Sequence, residues 1–137
     1  FNKGLIDEKK IKEHSQKILS DFSVNTNNVE LKSQFLSGGN LQKLIIGREL
    51  ITSPDLLICF NPTWGLDVGA INYIHETLIK INEQNKSIIL ISTDTDELLK
   101  LSDKISVIHK GRLSKLMHAD EVTSEKLGIL MGGGEID

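Results

Sequence analysis

A serine followed by two glycines, Ser37-Gly38-Gly39, stands where a helical pattern of apolar residues begins. The first N–H groups of a helix have no partner within it, and the helix dipole makes that end positive, so it can bind an anion such as a phosphate. Glycine lets the backbone approach such a ligand closely. Taken alone, the segment fits equally well an ordinary helix whose N-cap is Ser37.

Other polar residues give weaker indications of chemistry. Asp94, Asp96 and Glu97 could form a metal or acid–base cluster, but carboxylates also favour the positive end of a helix, and we interpret them as a helix start. The histidines are far apart in sequence and have no cysteine or carboxylate at metal-ligand spacing, so we predict no metal site. They are His14, His75, His109 and His118.

Composition narrows the classes of protein that the chain can belong to. Its 137 residues suit about one domain, and the formal net charge of -3 offers no basic field for nucleic acid. The single cysteine, Cys59, cannot form a disulfide within the chain, which favours a reduced, cytosolic setting. It lies in an apolar run, and we interpret it as a small core residue. That run, Leu56–Phe60, is far shorter than the roughly 20 residues that cross a bilayer. Because the chain starts at Phe1 without a signal sequence, we expect a piece of a longer protein.

The periodicity of apolar residues predicts an α/β fold. A helix over Asp7–Phe22 and a polar connection are followed by a second helix, which starts at Ser37 and ends before Pro54. The runs Leu56–Phe60 and Ser87–Ser92 have the length of buried strands, and an amphipathic helix ending near Gln84 separates them. Strand, helix and strand in this order predict a parallel βαβ unit.

The remaining third of the chain predicts smaller elements. A short helix over Asp96–Leu101 precedes an antiparallel hairpin of Ile105–His109 and Leu113–Met117, which turns at Lys110-Gly111. A last helix covers Thr123–Met131, and the glycines after it are expected to fray.

The order and spacing of these segments resemble the ATP-binding cassette (ABC) ATPases. Leu36-Ser37-Gly38-Gly39-Asn40 matches the family signature, LSGGQ or, in importers of simple sugars, LSGGN. Leu56 to Asn61 falls at the Walker B strand, Gly65-Leu66-Asp67 at the D-loop, and Thr93 at the switch histidine. The resemblance runs from about Gly4 to Met131. It is closest to the second cassette of double-cassette ATPases for simple sugars and nucleosides, which share LSGGN-x-QK, PTxGLDVGA and LSD.

The chain departs from that family at positions that the family uses for catalysis and nucleotide binding. The Walker B strand normally ends in Asp-Glu, which organise Mg²⁺ and polarise the attacking water; here Phe60 and Asn61 stand there, and neither side chain can do that work. Thr93 lacks the imidazole of the switch histidine, and Trp64 replaces an arginine common before the D-loop glycine. The sequence contains no phosphate-loop motif, Gly-x-x-x-x-Gly-Lys-Ser/Thr. Gly128 and Gly133 have the spacing of its two glycines, but Lys-Ser/Thr does not follow them. We expect that loop and the Q-loop upstream of Phe1.

The resemblance implies a division of labour between two cassettes that pair head to tail around ATP. Residues 1–53 would form the helical signature subdomain, and residues 54–137 the C-terminal part of a mostly parallel nucleotide-binding core. Ser37, Gly38, Gly39 and Asn40 would complete the partner cassette's ATP site, and Asp67 would communicate across the interface. ATP and Mg²⁺ are then cofactors of the full-length protein, whereas this part alone is expected to be inactive and to need none.

The same resemblance implies an ATPase subunit of an importer for a monosaccharide or a nucleoside. Its partners would be the upstream cassette, membrane permease subunits and, indirectly, a substrate-binding protein, at the cytoplasmic side of the membrane. An alternative is a non-catalytic interaction or regulatory module that kept the cassette shape. A soluble cassette protein of DNA repair or translation would need coiled-coil or basic insertions, which are not visible. Without its upstream part, the chain is expected to expose a strand edge and to self-associate.

Overall fold

A computed structural model describes residues 7–26 and 28–135 of the chain. These residues contain both helices and short strands, as the α/β prediction requires. The helices are α1 (Glu8–Asp21), α2 (Gly38–Leu50), α3 (Val68–Glu83), α4 (Thr95–Leu101) and α5 (Ser124–Met131). The strands are β1 (Leu56–Phe60), β2 (Ser87–Ile91), β3 (Lys104–Ile105), β4 (Ile108–His109), β5 (Arg112–Leu113) and β6 (Met117–His118).

The described residues form two compact units. One comprises the described residues up to Leu57 together with Thr63–Ser87, and the other comprises Ile58–Pro62 and the described residues from Ile88 onward. The first unit contains α1, α2 and α3, and the second contains α4, α5 and the four short strands.

In the first unit, α1 packs against α2 and α2 against α3. Helix α1 lies where the sequence predicts: its N-cap Asp7 accepts from the N–H of Lys10, and it ends at its C-cap Phe22. Gly47 lies where α1 meets α2, and a Cβ added to it would stand 2.6 Å from Cδ2 of Phe22 and 2.8 Å from Cγ2 of Ile18. The absence of a side chain at Gly47 therefore sets the spacing of the two helices.

Strands β1 and β2 form a two-stranded sheet and run in the same direction. The N–H of Ser87 donates to the carbonyl of Asp55 at one end, and the N–H of Asn61 donates to the carbonyl of Ile91 at the other. The βαβ prediction is therefore confirmed. Cys59 is buried, but the neighbouring side chains Ile58 and Phe60 are exposed, as are Ile89 and Ile91 of β2. One face of this sheet thus presents apolar side chains that the described residues leave open.

The predicted hairpin exists, but it is broken into two pairs of two-residue strands. At the turn, β4 pairs with β5, and farther out β3 pairs with β6, both antiparallel. Between them, the Ser114 hydroxyl accepts from the N–H of Val107, and the Ser106 hydroxyl donates to the carbonyl of Ser114. The register shifts by one residue between the two pairs, so Ser106-Val107 faces Ser114–Leu116. This is a β-bulge, and the serine hydroxyls bond to the backbone there.

The core of the second unit surrounds Leu127, which is fully buried on α5. Ile105, Val107 and Val122 pack with it. The prediction that the glycines after α5 fray is wrong. The N–H of Gly133 donates to the carbonyl of Leu130, and the N–H of Gly134 donates to that of Ile129. With Gly133 at φ 86°, this is a Schellman motif that ends the helix.

Candidate functional site

Ser37 is the N-cap of α2, as the sequence predicts. Its Oγ accepts from the N–H of Asn40 at 3.4 Å and from Nδ2 of the same residue at 3.0 Å. The helical bonds of α2 begin with the N–H of Leu41, which donates to the carbonyl of Ser37. The N–H groups of Gly38 and Gly39 precede that first bond, at the positive end of a 13-residue helix. The arrangement can hold an anion.

Asn40 fixes this helix start to the connection before it. Its Oδ1 accepts from the N–H of Asn25 at 2.8 Å, while its Nδ2 donates to Ser37. A glutamine at this position, as in the usual form of the signature, would place the same amide one methylene farther out. Asparagine therefore serves here as a brace between two segments of the backbone.

The loop before α3 lies against the start of α2. A Cβ added to Gly39 would stand 2.9 Å from Cβ of Ala70 and 3.9 Å from Oδ2 of Asp67. Asp67 is the N-cap of α3, and its Oδ1 accepts from the N–H of Ala70 at 2.9 Å. The structure thus brings together the four residues to which the resemblance assigns the partner's ATP site, Ser37, Gly38, Gly39 and Asn40, and Asp67, to which it assigns communication across the interface.

Large apolar side chains border this group on the outside. Phe35 precedes the signature, while Trp64 and Val68 flank the Asp67 loop, and each exposes at least 66% of its surface. Exposed aromatic residues are enriched where proteins bind other proteins. The helix start and its border therefore have the composition of a contact surface.

Phe60, Asn61 and Thr93 belong to the second unit. The Phe60 side chain is 72% exposed and offers no ligand atom. Asn61 has a left-handed backbone at φ 43°, and its Oδ1 accepts from the N–H of Thr93 at 3.3 Å. The residues that follow β1 and β2 therefore lie side by side, as expected for parallel strands. Neither Asn61 nor Thr93 supplies a carboxylate there.

Two features escaped the sequence analysis. The three carboxylates do lie at a helix start, as the sequence predicts, because Asp94 caps α4 and accepts from the N–H groups of Asp96 and Glu97. The sequence did not predict that Glu97 is buried, with 3% of its surface exposed. Burial, and secondarily the Glu97 charge, raises the pKa of Cys59 to about 11. The Leu98-Leu99 pair that follows Glu97 was a signal that this short helix is half-buried.

A cleft of about 440 Å³ in the first unit carries less chemistry. Two of its polar side chains are engaged by bonds within the protein: the Tyr73 hydroxyl donates to the carbonyl of Phe22, and Lys86 donates to Asp55. Among residues 7–26 and 28–135, no His, Cys, Asp and Glu are grouped in a way that could hold a metal ion. Within the same residues, no helix is both long and apolar enough to traverse a bilayer.

Solved structures with a similar fold are ATP-binding cassettes. An inward-facing ABC transporter assigned to the metal-chelate type matches 96% of this chain and 53% of its own at a TM-score of 0.78 and 20% identity. A dimeric cassette in a post-hydrolysis state with ADP and Pi matches 85% of this chain and 50% of its own at a TM-score of 0.70 and 22% identity. The chain has the fold of part of an ABC ATPase domain.

Curated relatives match almost the whole chain. The nucleoside import ATP-binding protein NupA of Lactococcus lactis is 44% identical over 134 residues, which are 98% of this chain. The guanosine import protein NupO and the ribose import protein RbsA, both of Bacillus subtilis, are 39% and 38% identical over 95% and 96% of it. The chain spans 26%, 26% and 27% of these relatives' lengths, about a quarter. No protein-family model matches it.

Proposed function

Because this chain belongs to the ATP-binding proteins of ABC transporters, we propose that it is the C-terminal part of the second cassette of an importer ATPase. The proposed cargo is a simple sugar or a nucleoside, since the relatives named above are import proteins for a nucleoside, guanosine and ribose. In this proposal the helix start at Ser37 completes the ATP site of the partner cassette, while the chain's own Walker B site is degenerate.

One observation carries the proposal: the start of α2 is open to solvent and braced on both sides. Asn40 ties it to Asn25, and Gly39 lies against Ala70 in the first turn of α3. A rigid helix start of this kind can present the Ser37 hydroxyl and backbone N–H groups to a phosphate without reorganising.

The groups present fit ATP and Mg²⁺ to different extents. Neutral N–H and hydroxyl donors at a helix start suit phosphate oxygens, so Ser37, Gly38 and Gly39 would contact ATP in trans. Magnesium needs oxygen ligands, and Phe60 supplies none. The Asn61 amide cannot accept a proton from water as a general base. We therefore assign hydrolysis to the partner cassette's site, where ATP and Mg²⁺ would be bound and the phosphoryl chemistry would occur.

The remaining partners follow from this assignment. The upstream cassette of the same protein would supply the phosphate loop, and permease subunits would hold the ATPase at the cytoplasmic side of the membrane. A substrate-binding protein would act through those permeases. Residues 1–53 would then belong to the signature subdomain and residues 54–137 to the core.

Steady-state ATPase assays on the full-length protein with its permeases test this division. Ser37→Arg puts bulk and a side chain charge at the phosphate position, so activity should fall by at least about 100-fold. Ser20→Arg adds the same side chain at an exposed position near the C-terminal end of α1 and should keep activity. Asn61→Ala should leave activity within about twofold, since it removes no general base.

Two results would overturn the assignment. Activity in Ser37→Arg equal to that of Ser20→Arg would mean that the signature does not contact the hydrolysed nucleotide. A loss in Asn61→Ala as large as that in Ser37→Arg would mean that this cassette's own site does chemistry.

A non-catalytic regulatory module is the second candidate, favoured by the residues at positions 60, 61 and 93. It predicts a full-length protein without transport-coupled ATPase activity and without effect of Ser37→Arg. The same assay therefore separates the two functions.

A further inference from the structure

We propose that Asn61 is a positioning residue that holds the β2–α4 loop, defined as Ser92–Asp94, through the backbone of Thr93. The inference rests on the proposed function in one respect: it treats the loop that carries Thr93, at the position of the switch histidine, as part of a degenerate ATP site. It assigns a task to a residue that the proposed function describes only as a lost general base.

Asn61 is bonded to two successive parts of the neighbouring chain segment. Its own N–H donates to the carbonyl of Ile91 at 2.8 Å, which extends the pairing of β1 and β2 by one step. Its Oδ1 then accepts from the N–H of Thr93 at 3.3 Å. One residue thus fixes the end of β2 and the start of the loop that follows.

The backbone of Asn61 is itself constrained. At φ 43° it occupies the left-handed region, where asparagine is among the least disfavoured residues other than glycine. Pro62 follows and is buried, and a proline favours extended backbone in the residue before it, so the left-handed conformation of Asn61 departs from that preference. A glutamate at position 61 would adopt this left-handed backbone conformation less readily than asparagine does, and its side chain is longer. The residue type therefore suits a fixed brace.

The other hydrogen bonds in this loop and just after it join residues that are close in sequence. Ser92 Oγ accepts from the N–H of Asp94 at 3.0 Å, and Asp94 Oδ1 accepts from those of Asp96 and Glu97 at 3.0 and 3.1 Å. These bonds are local, within five residues of one another. The Asn61 bond instead crosses to the loop from another strand, 32 residues away in sequence. It is the contact that can set where the loop lies.

Hydrogen exchange of the full-length protein without nucleotide, resolved by overlapping peptides across 90–97, tests the inference. Asn61→Gly keeps the left-handed backbone accessible and removes the acceptor, so exchange at Thr93 should rise roughly five-fold. Asn61→Asp keeps an acceptor oxygen and should retain the wild-type rate. Asn85→Gly is the matched control: Asn85 has φ 60° just before β2, and the described residues show no side-chain hydrogen bond to it.

A rise in Asn61→Gly together with rescue in Asn61→Asp and no change in Asn85→Gly supports the inference. Equal exchange at Thr93 in Asn61→Gly and wild type would overturn it. So would equal loss of protection in Asn61→Asp and Asn61→Gly, because the acceptor oxygen would then be irrelevant. Since these measurements need no ATP, failure here is separate from failure of the proposed function, which the Ser37→Arg assay decides.

Discussion

The close approach of Gly39 to α3 predicts that two adjacent glycines differ sharply in their tolerance of a methyl group. A Cβ at Gly39 would lie 2.9 Å from Cβ of Ala70, an atom fixed to the backbone of α3. A Cβ at Gly38 would meet only Cδ2 of Leu66, at 3.5 Å, which is ordinary van der Waals contact. Gly39→Ala must therefore displace one helix from the other, whereas Gly38→Ala need not.

The pair isolates the steric effect. Both substitutions add one methyl group in the first turn of α2, so the gain in helix propensity of up to about 1 kcal/mol is shared. The difference in their free energies of unfolding is then the overpacking cost, about 1–3 kcal/mol. Gly39→Ala is expected to be the less stable variant by that amount.

Urea unfolding of the 137-residue chain, followed by far-ultraviolet circular dichroism, measures the difference, provided that wild type first unfolds in one cooperative transition. Equal midpoints and slopes for the two alanine variants would refute the reasoning. They would show that Ala70, in the first turn of α3, does not rest against Gly39 at the start of α2.

Further predictions concern other sites. Gly47→Ala should destabilise the chain by about 1–3 kcal/mol, because the added methyl group would clash with α1. Gly128→Ala adds a methyl group that meets no atom within 4 Å and should stabilise the chain by up to about 1 kcal/mol. Urea midpoints that shift in the same direction for both variants would contradict this. The pKa of the Cys59 thiol is raised in the folded chain, so the protonated thiol stabilises the fold below its ordinary pKa. This contribution is lost as the pH rises towards about 11. Unfolding midpoints that do not fall above pH 9 would count against this prediction. Calorimetric titration should detect no micromolar binding of Mg-ATP to the 137-residue chain. Light scattering should show self-association of that chain through its open sheet face, and a monomer at high concentration would disprove it.

Much of the local structure could be predicted from the sequence, because it depends on nearby residues. Ser37, Asp67 and Thr123 act as N-caps, and each such cap precedes an amphipathic or apolar helical run. The parallel pairing of β1 and β2 could be predicted because two apolar runs of strand length are separated by a helix. These signals act within a few residues or repeat at a fixed period.

What could not be predicted depends on contacts across the chain. Nothing in the spacing of Asn61 and Thr93 indicates that the amide of one accepts from the backbone of the other. The burial of Glu97 likewise depends on the packing of α4, not on its position in the helix. The broken hairpin reflects a one-residue shift of register between its two pairs of strands, which the propensities of the residues do not encode.

The glycines after α5 affect how this protein should be cut or joined to another. In the printed sequence they look like a spacer, a natural place to attach a reporter or to trim the chain. Yet Gly133 lies so close to His109 that a Cβ added to it would stand 2.6 Å from Nε2, too near to be accommodated. His109 Nδ1 lies 2.9 Å from the carbonyl oxygen of Met131. Trimming after Met131 would strip the donors from the carbonyls of Ile129 and Leu130 and uncover that imidazole. A fusion partner should therefore be joined beyond Glu135, leaving the glycines in place.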